Sequence, residues 1–322
     1  DNLDWKAANE LGIYTTYSPD TTTLSVAEFT ITVILNLAKR LKESEELVRK
    51  GDFQKKFSLK GTDVAGKTLG IIGLGKIGKE VARKAALGLD MRVISYVPRP
   101  EGKDIPEYIE IVSWEELLQT SDYISLHVPG GEKNQGIISK KEFAMMKKSA
   151  SLIQVSRGGV VDEEALAEAI RNSQIRGAAV DVFSEEPPQK DNPLLKLDQV
   201  ILTPHIGGST LEAQKSIGQF VSQRLEDYWF KGSTMLSVDL PQITLSDIRS
   251  NFRIAHLHAN LPGVLAKVNH VLGEENINIA AQALGTEGEI GYVVTDVAQR
   301  PSQKALDELA AIEGTIRMRV IS

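Results

Sequence analysis

A short apolar run, Thr68 to Ile72, leads without interruption into Gly73-Leu74-Gly75-Lys76-Ile77-Gly78 and then into a helical stretch from Lys79 to Leu87. No other feature constrains the chain as tightly. The glycines serve a tight turn (Gly73), close approach of backbone to a pyrophosphate (Gly75) and packing of helix on strand (Gly78), while the free N–H groups of the helix start face the anion. The same alternation continues from Asp63 to Leu202. β-Branched runs at Arg92 to Tyr96, Tyr123 to His127, Ser151 to Val155, Ala178 to Val182 and Val200 to Leu202 are separated by helical segments. This pattern predicts an α/β fold with a Rossmann-type, doubly wound parallel sheet.

Around that core, Ser25 to Lys50 reads as one long helix, apolar through Val26, Phe29, Val33, Leu37 and Leu41 and stopped by Gly51. Ser-x-x-Glu sets at Ser25 to Glu28, Ser113 to Glu116 and Ser209 to Glu212 predict helix N-caps. A second long helix, about Thr210 to Phe230, precedes a proline-containing connector, Val238 to Arg249, and a boundary near Ser250. Beyond it the predicted order changes to strand Phe252 to His258, helix Pro262 to Gly273, strands Ile277 to Leu284 and Ile290 to Val297, helix Ser302 to Ile312 and strand Thr315 to Val320. That βαββαβ order predicts a small ferredoxin-like domain. With 322 residues, two or three domains are expected.

Composition narrows the function. No apolar run approaches the roughly 18 to 20 residues of a membrane span. The net charge of -6 comes without a basic stripe, so nucleic acid is not expected as a partner, whereas small anions can be held by local basic groups. The absence of cysteine excludes disulfides, thiolate metal sites and cysteine nucleophiles. No metal site is expected, and a cytoplasmic location is the default expectation.

The second strand of a dinucleotide fold usually ends in an acid that bonds the adenosine ribose hydroxyls. Here it ends Ser95-Tyr96-Val97-Pro98-Arg99. Val97 neither accepts those hydroxyls nor repels a 2′-phosphate, and Arg99 is able to pair with one. NAD is the expected cofactor and NADP the alternative.

Three further segments place a reactive side chain just past a strand end, where ligands sit in such sheets. They are Val155-Ser156-Arg157-Gly158-Gly159, Asp181-Val182-Phe183-Ser184-Glu185-Glu186-Pro187 and Thr203-Pro204-His205-Ile206-Gly207-Gly208. Singly, each is more often a turn, a packed loop or a surface strip. Together with the glycine loop they supply what hydride transfer from a 2-hydroxy acid needs. His205 is the base for the hydroxyl proton, Glu186 fixes its tautomer and stabilises the imidazolium, and Arg157 clamps the carboxylate and carbonyl.

The elements GLGKIG, VSRGGVVDEEAL, AAVDVFSEEP and LTPHIGGST stand in an order that resembles the D-isomer-specific 2-hydroxyacid dehydrogenase family, and the likeness extends along the whole chain. The resemblance implies a nucleotide domain inserted in a flavodoxin-like substrate domain, with Arg157, Glu186 and His205 as catalytic trio. It implies cofactor contacts from Lys76 and Ile77 at the pyrophosphate, from Val155, Ser156 and Arg157, from Asp181 at the nicotinamide amide, and from His205, Ile206, Gly207 and Gly208. On this reading residues 1–22 and 209–250 are a remnant of the substrate domain, 23–208 bind NAD(P), and 251–322 are regulatory.

The stretches Arg253 to Leu265, Asn276 to Gln282 and Gly291 to Val294 are similar to the ACT domain found in the family's serine-pathway branch. That likeness implies 3-phosphoglycerate as substrate and serine as inhibitor, held by His258, Asn260 and Asn278 across two subunits. A homo-oligomer, dimer or tetramer, follows from it. Imidazole and amide groups beside a Pro-Gly turn suit an amino acid's charged ends. Lys55 matches a basic residue near the substrate. Two departures stand out: the family begins well before Asp1, with phosphate-binding arginines, and Tyr17 to Leu24 replaces a stretch that usually carries Asn and Arg. Another 2-hydroxy acid, 2-oxoglutarate reduction, or a non-catalytic, corepressor-like nucleotide sensor are the alternative readings.

Overall fold

The alternation between residues 63 and 202 becomes a seven-stranded, all-parallel sheet. In chain order its strands are β1 (Thr68–Ile72), β2 (Arg92–Tyr96), β3 (Ile109–Ile111), β4 (Tyr123–Leu126), β5 (Ser151–Gln154), β6 (Gly177–Val180) and β7 (Val200–Leu202), arranged β3-β2-β1-β4-β5-β6-β7. The computed structural model describes residues 3–245 and 252–322, and the chain divides into two compact units, residues 20–213 and residues up to 19 with those from 214 onward.

In the first unit β1, β4, β5 and β6 are buried at every position, as strands covered on both faces must be. Ile72, Leu126, Leu152 and Val180 face Leu117, Phe143 and Leu166 on one side. Leu69, Ile71, Val93 and Ile153 face Val33, Ile34, Val81 and Ala85 on the other. The strand order reverses between β1 and β4, and a crevice opens at such a switch point above the strand ends.

Several local expectations are corrected. The long helix from Ser25 is two helices, Thr23–Lys39 and Leu41–Arg49, separated by Arg40 in the left-handed region at φ 55°. The side-chain carbonyl of Asn36 accepts from the Lys42 N–H across that break, while the apolar stripe runs on through it. Ser25 does not cap: its hydroxyl bonds Thr210 Oγ1 at 2.8 Å, and Thr210, rather than Ser209, accepts from the Ala213 N–H. Ser113 does accept from the Glu116 N–H, at 3.1 Å. The three-residue β3 is too short for alternation to reveal. The second long helix is regular over Leu211–Glu226 and then widens into a π-helical turn, Asp227–Lys231, closed by Gly232.

In the second unit β8 (Phe252–Ala259), β9 (Ile279–Glu287), β10 (Ile290–Val297) and β11 (Thr315–Ile321) form an antiparallel sheet ordered β11-β8-β10-β9. Helices Val264–Glu274 and Gln303–Ala310 cover one face through Val268, Leu272 and Leu309, packed on Ile254 and Val297. Tyr14, Leu240 and Ile243 cover the other, against Ala255, Leu257, Tyr292 and Val294. The residues before 20 and after 232 therefore share a core with this sheet. The boundary expected near Ser250 and the end of the connector before it lie outside the described residues. Among the described residues no helix is long and apolar enough to cross a membrane.

Candidate active site

Gly75 is the N-cap of helix Lys76–Leu89, so the glycine loop does hand its strand directly to a helix start. A Cβ at Gly78 would stand 2.2 Å from the Gly73 carbonyl oxygen, and one at Gly73, which adopts φ 99°, would stand 2.5 Å from the His127 carbonyl oxygen. A side chain at Gly78 would force the helix off its strand, and one at Gly73 would force the ends of β1 and β4 apart. Over the loop lies a cavity of about 520 Å³, lined by Gly73, Gly75, Tyr96, Val97, Pro98, Lys79, Lys103, Trp114 and Val128. Tyr96 and Trp114 meet edge to face at 5.4 Å, which gives this end a firm apolar wall.

A second cavity of about 460 Å³ shares Val128 and runs over Ile77 and His127 to Val155, Ser156, Arg157, Asp181, His205, Gly207 and Gly208. The two lie along the ends of the parallel strands on either side of the switch point. A glycine cradle with no room for a side chain, a helix start for diphosphate and an apolar slot beyond the end of β2 fit a nicotinamide dinucleotide. Lys76 and Arg99 are not in these walls: the Lys76 amine pairs with Asp20, and Arg99 is exposed. Lys55 also lines neither cavity. It sits in the 3-10 turn Phe53–Ser58, with its amine 2.6 Å from Asp52 Oδ2.

Each reactive loop is fixed by a polar residue at the strand end beneath it. Gln154, 2% exposed, accepts from the Ser156 hydroxyl at 2.8 Å and donates to the Arg157 carbonyl at 2.8 Å. Arg157 Nη1 donates to the Ser156 carbonyl at 2.8 Å. Asp181, also 2% exposed, accepts from Thr203 Oγ1 at 2.6 Å, from the Ile206 N–H at 2.9 Å and from the Gly207 N–H at 2.8 Å. Its own carbonyl accepts from the His205 N–H. These bonds hold His205 in a left-handed conformation at φ 55°, which a free chain rarely adopts. Neither anchoring role was foreseen, although a Gln closing the otherwise apolar run Ser151 to Val155 is a visible signal.

The result is a proton-transfer pair. His205 Nδ1 lies 2.8 Å from Glu186 Oε2, and Glu186 Oε1 accepts from the Phe183 N–H at 3.1 Å. Burial works against the Glu186 carboxylate, but the bonds from His205 and Phe183 and the charges of His205 and Arg157 outweigh it and hold the carboxyl below its ordinary range. With Nδ1 engaged, Nε2 is the nitrogen left for a substrate. Sequence reasoning also missed His127, which lines the same cavity with Nε2 2.8 Å from Ser125 Oγ. Burial pushes it down to about 3, so it stays neutral.

In the antiparallel sheet His258 is buried, with Nδ1 donating to the Ala259 carbonyl at 2.8 Å and Nε2 without a partner. A Cβ on Gly291, its neighbour on β10, would come 2.3 Å from the ring. His256 bonds Thr315 Oγ1 at 2.8 Å and leaves Nδ1 unpartnered. Asn260 donates to the Gly288 carbonyl at 3.1 Å. Asn278 is exposed beside edge strand β9, with β10 between that strand and His258, so one copy of the chain does not join the three expected effector residues. Among the described residues no group of acidic or histidine side chains is arranged to hold a metal ion.

A family model described as the NAD binding domain of D-isomer specific 2-hydroxyacid dehydrogenases matches residues 31–207, and one described as an AHAS small subunit-like ACT domain matches residues 254–317. D-3-phosphoglycerate dehydrogenase of Haemophilus influenzae is 40% identical over 99% of this chain and 78% of its own length. The Escherichia coli enzyme of that name is 38% identical over the same shares. Among solved structures, D-2-hydroxyisocaproate dehydrogenase aligns with a TM-score of 0.69 at 30% identity, covering 74% of this chain and 76% of that one.

Proposed function

The chain belongs to the D-isomer-specific 2-hydroxyacid dehydrogenase family, and from that premise we propose that it acts as a D-3-phosphoglycerate dehydrogenase, oxidising 3-phosphoglycerate to 3-phosphohydroxypyruvate on the route to serine. The observation that carries the reading is the 2.8 Å pair of His205 and Glu186 in the β7 and β6 loops, with Arg157 across the same cavity. A bound nicotinamide supplies the hydride acceptor. The protein's residues do the rest. Arg157 holds the substrate carboxylate and polarises the C2 oxygen through its planar fork. His205 Nε2 takes the C2 hydroxyl proton as the C2–H bond breaks, and the ionised Glu186 stabilises the imidazolium that forms. In the reductive direction the same imidazolium returns the proton. Gln154 and Asp181 keep the two loops in place throughout.

The C-terminal sheet supports amino-acid control of the reaction. Buried ring nitrogens without partners are costly, and a ligand with ammonium and carboxylate groups relieves that cost. His258 and Asn260 from one copy and Asn278 from a second copy would hold serine, which makes the working form a homo-oligomer. The test is NADH oxidation with 3-phosphohydroxypyruvate, with L-serine added to half the samples. Turnover that falls with serine supports reaction and regulation together. A protein that binds NADH yet turns over other 2-keto acids and not this one overturns the substrate assignment.

A further inference from the structure

The adenosine end of the cleft departs from the arrangement that selects NAD. An acid at the end of β2 does two things in such folds: it accepts the ribose hydroxyls, and its charge excludes a 2′-phosphate. In this chain that position is Val97, 8% exposed, with its side chain in the cavity wall. The charged residues that do line the cavity are Lys79, Lys103 and Asp104. Asp104 is already neutralised, because Lys79 lies 3.3 Å from its carboxylate and also donates to its backbone carbonyl. Lys103 is exposed and makes no ion pair among the described residues. Arg99, two residues beyond Val97, is exposed and lies outside the cavity wall, as does the exposed Glu101. Within the cavity wall Lys79 and Asp104 offset each other and Lys103 is left as a net positive charge.

We propose that this end of the cleft accepts a 2′-phosphate, held by Lys103 beside Val97, so that the chain takes NADP(H) as well as NAD(H). The inference rests on the dinucleotide reading of the cleft and deepens it. Loss of the acid alone makes the site indifferent to a 2′-phosphate. Lys103 makes it attractive, since phosphate is a dianion to which the lysine offers a charge-assisted hydrogen bond. Nothing in the catalytic corner enters the discrimination, which therefore appears in binding as well as in turnover.

The test is calorimetric binding of adenosine 2′,5′-bisphosphate and of 5′-AMP to the full chain at low and moderate salt. The expected result is at least about tenfold tighter binding of the bisphosphate at low salt, the size of one charge-assisted contact. That advantage shrinks as salt screens the exposed Lys103. Lys103→Gln, a change at an exposed position that leaves the core untouched, weakens the bisphosphate and not 5′-AMP. Val97→Asp reverses the preference, and the KM for NADPH rises against that for NADH. Equal or weaker binding of the bisphosphate at low salt overturns the proposal while leaving the NAD site standing. Failure of both nucleotides to bind overturns the dinucleotide reading and this inference with it.

Discussion

His205 and the pair His256 and His258 present the same ring in opposite settings. His205 is half exposed, with a carboxylate 2.8 Å from Nδ1 and a loop locked beneath it by Asp181. His256 and His258 are 1% and 3% exposed, have no carboxylate beside them, and each leaves one ring nitrogen unpartnered. Burial, and then the neighbouring His258, push His256 down to about 4. The contrast separates two uses of imidazole. A ring that must carry a proton needs a counter-charge and access to substrate. A buried ring with no counter-charge beside it, as His256 is, is kept neutral. His127 obeys the second rule although it lines the catalytic cavity, so proximity to the chemistry does not make a proton carrier.

The largest expected effect breaks the first half of the comparison. His205→Asn lowers kcat by about 10²–10⁴, the usual contribution of a positioned general base, while NADH binding measured by fluorescence persists. A variant that keeps most of its turnover would show that the exposed pair is not the proton carrier. Asp181→Asn comes next: one carboxylate oxygen becomes an amide NH2 that cannot accept from the Gly207 N–H, so the His205 loop loses one of its anchors. Turnover falls by roughly tenfold or more, and thermal unfolding shows a loss of about 1–3 kcal/mol, the cost of a buried unsatisfied donor. In the second region, His258→Ala raises the serine concentration for half-inhibition by roughly tenfold. Unchanged inhibition would move the effector site elsewhere.

The smallest effect concerns acid stability and separates the buried histidines from Glu186 by pH window. Below its ordinary value of 6.5, an unfolded His256 binds a proton that the folded ring refuses until about pH 4. Stability therefore falls as pH drops through that window. Glu186, held below its ordinary 4.5, contributes stability that is intact above that value and lost only below it. Between pH 6.5 and 4.5 each unit should weaken through its buried histidine, His127 in the parallel unit and His256 in the antiparallel one, and His256→Met should flatten the antiparallel unit's share of the trend in urea midpoints followed by circular dichroism.

How much of this was legible in the sequence follows from which interactions are local. The glycine loop, the strand ends carrying Arg157, Glu186 and His205, and the βαββαβ order all rest on residues a few positions apart, and the folded chain keeps them together. Asp181 is 25 residues from Ile206, and its grip on that loop exists only because β6 and β7 are neighbours. The break at Arg40 hid inside an unbroken apolar stripe, since periodicity reports a face and not the continuity of a helix. Lys55 and Arg99 were singled out by residue type, yet side-chain direction took them out of the cavity walls. Gly291 gave no hint of its role, because the space it makes is for a ring on another strand.

The most direct test of the His205–Glu186 pair is the pH dependence of single-turnover NADH oxidation by 3-phosphohydroxypyruvate, compared between the wild-type chain and Glu186→Gln. In this direction the imidazolium gives up the proton, so the rate falls at alkaline pH. Removing the carboxylate that orients His205 and stabilises the imidazolium lowers the plateau. An identical plateau in the variant would contradict the account, leaving the 2.8 Å contact a structural feature without a part in proton transfer.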